Sequence, residues 1–383
     1  MDEALTWLRG QRPEMERWLR ALVEASSHTA DKRGVDAASA VLREVVGIGC
    51  EVVPSARFGD HLFFHNERAA GGRGAVLVGH IDTVFSRESF AGYRVEGDRA
   101  RGPGVLDMKG GLVVVGFALE AMRRAGLLEG LPLTFAVVSD EEVGSPESYA
   151  LLREVARGAS CALVFEAGRV GDAIVTRRKG TGAVTAHARG RAAHAGNAHR
   201  EGANALWSLA RWIDRAQGLT DYDRGVTVNV GRVEGGIGKN TVPDRARAEV
   251  DFRYASRADA EALMASLRAL ARDAAVEGTA IELEGGVARS SLERTAESAV
   301  LCARYAACQR AAGLGDGECP LQGGGSDAAT TADAGVPSID GLGPRGEGFH
   351  TLREYADLAS LVPKAEALVR FLCGLREGAV VTG

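Results

Sequence analysis

Residues 75–84 read Ala75-Val-Leu-Val-Gly79-His80-Ile-Asp82-Thr-Val84, and this stretch decides the fold. A short apolar run that ends abruptly in Gly-His reads as a buried strand, with His80 at its carboxyl end. The pattern recurs twice. Leu133–Val138 runs into Ser139-Asp140-Glu141-Glu142, and Ala162–Phe165 runs into Glu166. Helical patterns at 111–125 and 148–155 separate the three runs, and residues 14–47 read as two further helices. Strands alternating with helices predict an α/β sheet covered on both faces.

Near residue 179 the pattern changes. Residues 182–189, 226–233 and 246–253 alternate as half-exposed strands, helices are expected at 203–216 and 257–274, and Ile281–Leu283 closes the series. That order is a split βαβ, ferredoxin-like α+β unit. From 291 the helical pattern returns. A glycine loop, a short strand at Val336–Ile339 and a helix over 354–374 follow. The expectation is a mixed-sheet domain of residues 1–178 and 291–383, with residues 179–290 inserted as a second domain. The length of 383 residues, beyond the usual limit for one core, agrees.

Composition narrows the function. Lys and Arg number 46 against 51 Asp and Glu, so no basic surplus exists for nucleic acid or an anionic membrane. No apolar run reaches the roughly 18 residues that span a bilayer. The start, MDEALTWLRGQRPEMERWLR, lacks a secretory apolar core, and the six cysteines form no CxxC pair; a cytoplasmic protein with free thiols is expected.

The chemistry sits at the strand ends. His80, Asp82, the Asp140-Glu141-Glu142 run and Glu166 follow strands, Asp107 lies in Gly102-Pro-Gly-Val-Leu-Asp-Met-Lys-Gly-Gly111, and His350 lies in Gly348-Phe-His-Thr351. Each alone has an ordinary explanation as a cap, a turn or a solvated loop. In open α/β sheets, however, ligands bind outside the carboxyl ends of the strands, so these residues converge. Packed carboxylates repel one another unless a cation neutralises them. Two histidines with three carboxylates suit zinc, or cobalt or manganese in its place. Five ligands are too many for one tetrahedral zinc holding water; they fit two metals sharing a carboxylate, with a bridging water as nucleophile and Glu141 left as base.

At this point the chain resembles the di-zinc metallopeptidase family of aminoacylase, succinyl-diaminopimelate desuccinylase and the folate-cleaving glutamate carboxypeptidase, nearest to the last. The segments are GHIDTV (79–84), GPGVLDMKGG (102–111), SDEEVGS (139–145), FEAG (165–168), RAAHAG (191–196), GGGSDA (323–328) and FHT (349–351). The resemblance implies that His80 and Glu166 hold one zinc, Glu142 and His350 the other, and Asp107 bridges them. It implies Glu141 as general base to a metal-bridging hydroxide, and Asp82 as the partner of His80. It also implies a cis peptide at Asp107–Met108. The inserted unit resembles a lid and dimerisation domain, implying a homodimer in which His194 stabilises the oxyanion across subunits. Asn240, Arg253 and, more loosely, Arg289 match positions that contact a substrate carboxylate. The GGGSDA loop, with Gly324, would line the cleft with backbone N–H groups, and it does not clearly open a helix.

The implied activity is hydrolysis of an N-acyl amino acid or small peptide, with release of C-terminal glutamate. The same chemistry also suits an aminoacylase, another deacylase or a dipeptidase. One departure bears on this choice: the resemblance to the folate-cleaving members implies a lysine a few residues after the Glu166-type ligand, where this chain reads Asp172-Ala-Ile-Val-Thr176, with Arg177, Arg178 and Lys179 only later. A non-catalytic metal-bound protein would have lost Glu141 or a ligand, and none is missing.

Overall fold

A computed structural model describes residues 1–66 and 74–376. The chain divides into two compact units: Met1–Thr176 with Arg294–Pro320 and Ser326–Gly383, and Arg177–Glu293 with Leu321–Gly325.

The first unit is built on a six-stranded mixed sheet. Its strands run, in spatial order, Gly49–Val53, His61–His65, Leu133–Val138, Ala75–His80, Cys161–Val164 and Ser338–Ile339. The first two pairings are antiparallel and the other three parallel. Every residue of Ala75–His80 is buried, which explains why this strand is an unbroken apolar run rather than an alternating one. The helix Gly110–Arg124 is also buried on nearly every side, packing against the helix Leu361–Arg376. Gly111 permits its closest approach: a Cβ there would stand 2.0 Å from the carbonyl oxygen of Phe165. The start of this helix is thereby held against the strand end that carries Glu166.

The second unit is a four-stranded antiparallel sheet in the order Thr227–Gly235, Arg245–Tyr254, Gly180–Arg189, Ala280–Arg289. Its helices Ala205–Gln217 and Arg257–Ala274 share one core with the sheet, where Trp212 is fully buried and donates its indole N–H to the Leu267 carbonyl at 3.2 Å. This is the split βαβ unit the strand–helix order predicts.

Three local expectations are corrected. The last helix begins at Leu361, not 354, because Tyr355–Asp357 pairs as a strand with Arg99–Arg101 and Asp357 caps the turn that follows. The GGGSDA loop does open a helix: Ser326 caps Asp327–Asp333 by accepting the Ala328 N–H at 3.3 Å. A helix at Asp2–Arg9 precedes the two expected ones, burying Ala4, Leu5 and Leu8.

Candidate metal centre

Three neighbouring parallel strands deliver the site. His80 ends the strand Ala75–His80, Asp140–Glu142 follow Val138, and Glu166 lies two residues beyond Val164. Asp107 arrives from the turn before the helix Gly110–Arg124, where the Asp107–Met108 peptide is cis. His350 arrives from a turn with a φ of 61°. The donor atoms of His80, Asp107 and Glu166 lie within 4.8 Å of one another, as do those of Asp107, Glu142 and His350. His80 Nε2 is 3.3 Å from Asp107 Oδ1 and 3.7 Å from Glu166 Oε1. His350 Nε2 is 3.3 Å from Asp107 Oδ2 and 3.1 Å from Glu142 Oε2. Asp107 thus presents one oxygen to each group.

Asp82 organises both sides of this arrangement. It is fully buried and accepts the Thr29 hydroxyl at 2.8 Å. Its two oxygens also accept the backbone N–H groups of Glu141 (3.3 Å) and Glu142 (3.2 Å). His80 Nδ1 lies 3.0 Å from the Asp82 carbonyl and 3.4 Å from its carboxylate, so that nitrogen carries the proton and Nε2 is left as a donor to a cation. Asp82→Ala is expected to weaken metal affinity about 10- to 100-fold, measured by competition with a chromophoric chelator.

The electrostatics fit a cation site. Burial opposes charge on His80, yet the charge of Glu166 and the hydrogen bonds of Asp107 and Asp82 hold it protonated well above the usual imidazole range. Hydrogen bonds donated to Asp107 and Glu142 raise His350 to about 10. Burial, with repulsion from Asp107 and Glu141, lifts Glu142 to about 7 and Glu166 well above the carboxylate range. Protons on the donors thus compensate the crowded negative charge, a role that a divalent cation takes over by displacing them.

Three buried groups around the centre have no signal in the sequence. Glu354 accepts backbone N–H groups of the Asp107 turn. Lys109, fully buried, donates to the Ala25 carbonyl at 3.2 Å, and burial lowers its pKa to about 7. Thr29 holds Asp82 as described. Partners so far apart in sequence are joined only by folding.

The remaining candidates lie in the second unit. His194 pairs with Thr241, and the N–H of Ala195 meets the Asn240 carbonyl at 2.9 Å. His194 Nδ1 accepts the N–H groups of Gly196 (3.1 Å) and Asn197 (3.0 Å), so in the neutral ring the proton sits on Nε2. Thr181 pairs with Arg253 on one side and Arg289 on the other, which puts both arginines in one row across the sheet. Arg253 is forked onto Asp251 at 2.9 and 3.0 Å, a half-exposed pair worth little in water. Gly324 offers its carbonyl to Arg178 at 3.2 Å, and the Arg289 side chain packs on Gly325.

Two donor triads sharing one buried carboxylate, at the carboxyl edge of a mixed sheet, define a metallohydrolase centre. The description "Peptidase family M20/M25/M40" matches residues 76–373, and the chain belongs to that family, of the metallopeptidase and amidohydrolase class. Carboxypeptidase G2 of Pseudomonas sp. (strain RS-16) is 29% identical over 377 residues, covering 96% of this chain and 91% of that protein. A tripeptidase from Staphylococcus aureus shares the fold with a TM-score of 0.79 at 22% identity, over 96% of this chain and 99% of that one. A dinuclear metal binding peptidase from Bacillus subtilis shares it with a TM-score of 0.72 at 16% identity, over 96% and 99%. Among the described residues no helix is long and apolar enough to cross a membrane.

Proposed function

We propose that the protein hydrolyses the amide bond of an N-acyl amino acid or small peptide and releases a C-terminal glutamate. The observation that carries this reading is the shared Asp107 between the two triads, with Glu141 next to Glu142 and in neither triad. His80, Asp107 and Glu166 would hold one zinc and Asp107, Glu142 and His350 the other, cobalt or manganese serving as substitutes; the pair would supply Lewis acidity and an acidified water. Glu141, outside both triads, takes the proton of the attacking water and returns it to the leaving nitrogen. Asp82 holds the backbone of Glu141 in place through this exchange. His194 donates a hydrogen bond from its Nε2–H to the carbonyl oxygen as charge develops there. Arg253 and Arg289, with Asn240 and the Gly324 loop, receive the substrate α-carboxylate, for which a guanidinium fork is well shaped. The exposed pairing with Asp251 is weak enough for a substrate carboxylate to replace it.

Glutamate is favoured by the carboxypeptidase G2 relative and by a further cation on the first unit. Arg169, three residues past Glu166, lies 5.3 Å from the centre of the Phe349 ring, beside His350, and its Nε has no hydrogen-bond partner among the described residues. A second reading, an aminoacylase, deacylase or dipeptidase taking a neutral side chain, is favoured by the fully buried Ile174 in the stretch where the resemblance calls for a lysine. We also propose a homodimer through the second unit and a cytoplasmic location.

Mass spectrometry of the zinc-loaded protein on N-acyl-glutamates, N-acyl-aspartates, N-acyl basic amino acids and dipeptides tests the reading. Chelator-sensitive glutamate release supports it; release only from neutral or basic conjugates transfers it to the second reading. Arg253→Ala is expected to lower kcat/KM about 10- to 100-fold, mainly through KM, the size of a charged hydrogen bond of roughly 1.5–3 kcal/mol.

A further inference from the structure

We propose that Glu354 is a positioning residue that sets the shared ligand Asp107 against His350, and so determines whether the second metal is held. The inference rests on the two-metal reading and adds a residue that takes no part in ligation or proton transfer.

Glu354 is fully buried, although a glutamate is among the residues least often found there. Both of its oxygens are committed to main chain. Oε1 accepts the N–H groups of Leu106 at 2.8 Å and Asp107 at 3.0 Å, and Oε2 accepts the N–H of Gly104 at 3.1 Å. With its carboxylate engaged in this way and shut off from solvent, it cannot meet substrate. What it grips is the turn that presents Asp107.

Its own position is set by the other ligand segment. Glu354 lies four residues after His350, and its N–H donates to the Thr351 carbonyl at 3.1 Å, within the turn that holds His350. The Gly348 carbonyl in turn accepts the Thr351 N–H at 3.0 Å and the Thr351 hydroxyl at 2.7 Å. One rigid segment therefore carries His350 at one end and, at the other, a carboxylate clamped on the backbone of Asp107. The clamp reaches across 247 positions of sequence to tie two of the three ligands in the second triad. The His80–Glu166 side of the centre is tied differently, through neighbouring parallel strands. Loss of the clamp should thus fall first on the metal that His350 holds.

Glu354→Gln tests this with little change of shape. Its amide oxygen can keep the Leu106 and Asp107 bonds, but its NH2 then faces the Gly104 N–H, donor against donor. Glu366→Gln is the control: that buried carboxylate pairs with Arg9 and belongs to neither triad. Zinc titration against a chromophoric chelator should show the second equivalent bound about 10- to 100-fold more weakly in Glu354→Gln, with the first equivalent close to wild type. Glu366→Gln should match wild type in both, whatever its Tm. Equal second-equivalent affinity in Glu354→Gln and wild type overturns the clamp and leaves the two-metal reading intact. A wild type that binds fewer than two zinc ions overturns both. Should Glu354→Gln not fold, Glu354→Asp, one methylene too short to reach the three N–H groups, is held to the same affinities.

Discussion

Glutamine in place of Glu141 is expected to lower kcat by about 10²- to 10⁴-fold, the usual contribution of a positioned acid–base group, with both metals and the fold retained. Glu141 belongs to neither donor triad, so its loss removes no ligand. Its backbone N–H is held by Asp82, a bond that the isosteric amide leaves untouched. What disappears is a base that can take a proton and give it back. The fall should appear in kcat rather than KM, because the group acts as the proton moves and not in holding the ground state. Metal content by atomic emission and Tm should match wild type. Turnover near the wild-type rate would remove Glu141 from the mechanism.

Chelation is expected to abolish turnover and to lower Tm by an amount that grows as the pH rises from 6 to 9. In the metal-free protein His350, held by Asp107 and Glu142, is raised from 6.5 to about 10. That contribution to stability is fully present below 6.5 and is lost as the pH climbs through about 10. Glu142, raised by burial from 4.5 to about 7, acts in the same direction, its contribution fading from 4.5 through 7. His80 and Glu166, both raised, add to the trend. Asp107 is held well below 3.8 despite its burial, by hydrogen bonds from His350 and His80; its opposite contribution is lost only in strong acid, outside this window. The chelated protein therefore loses stability from pH 6 to 9. The loaded protein moves the other way, because metal binds deprotonated ligands and its affinity climbs with pH. At a thousandfold excess of free metal over Kd, one bound ion stabilises the fold by about 4 kcal/mol. Differential scanning fluorimetry with and without chelator reads the gap. A gap that is constant or narrows with pH would contradict the assignment of these residues as ligands.

The strand ends were the legible part of the centre. His80, Glu142 and Glu166 stand just past short apolar runs whose edges hydrophobicity alone marks, and three adjacent strands bring them together. Asp107 was visible through the glycines of its turn. His350 was different: its residue type and glycine-flanked setting made it a candidate, but no pattern in its segment predicts a left-handed turn aimed back at Asp107, and the family resemblance supplied its role. Glu354 was invisible, because its partners lie about 250 positions away and an isolated glutamate before a tyrosine has no signature. The start of the last helix failed for a related reason: Tyr355–Asp357 could continue a helix by local pattern, but pairing with Arg99–Arg101 overrides it. The Arg253–Asp251 fork could have been anticipated, since residues two apart on a strand share a face.

The central claim is that two metals share Asp107, and anomalous scattering at the zinc edge from zinc-loaded crystals tests it most directly. The account predicts two peaks, one among His80, Asp107 and Glu166 and one among Asp107, Glu142 and His350. A single peak, or a pair that does not share Asp107, would contradict it.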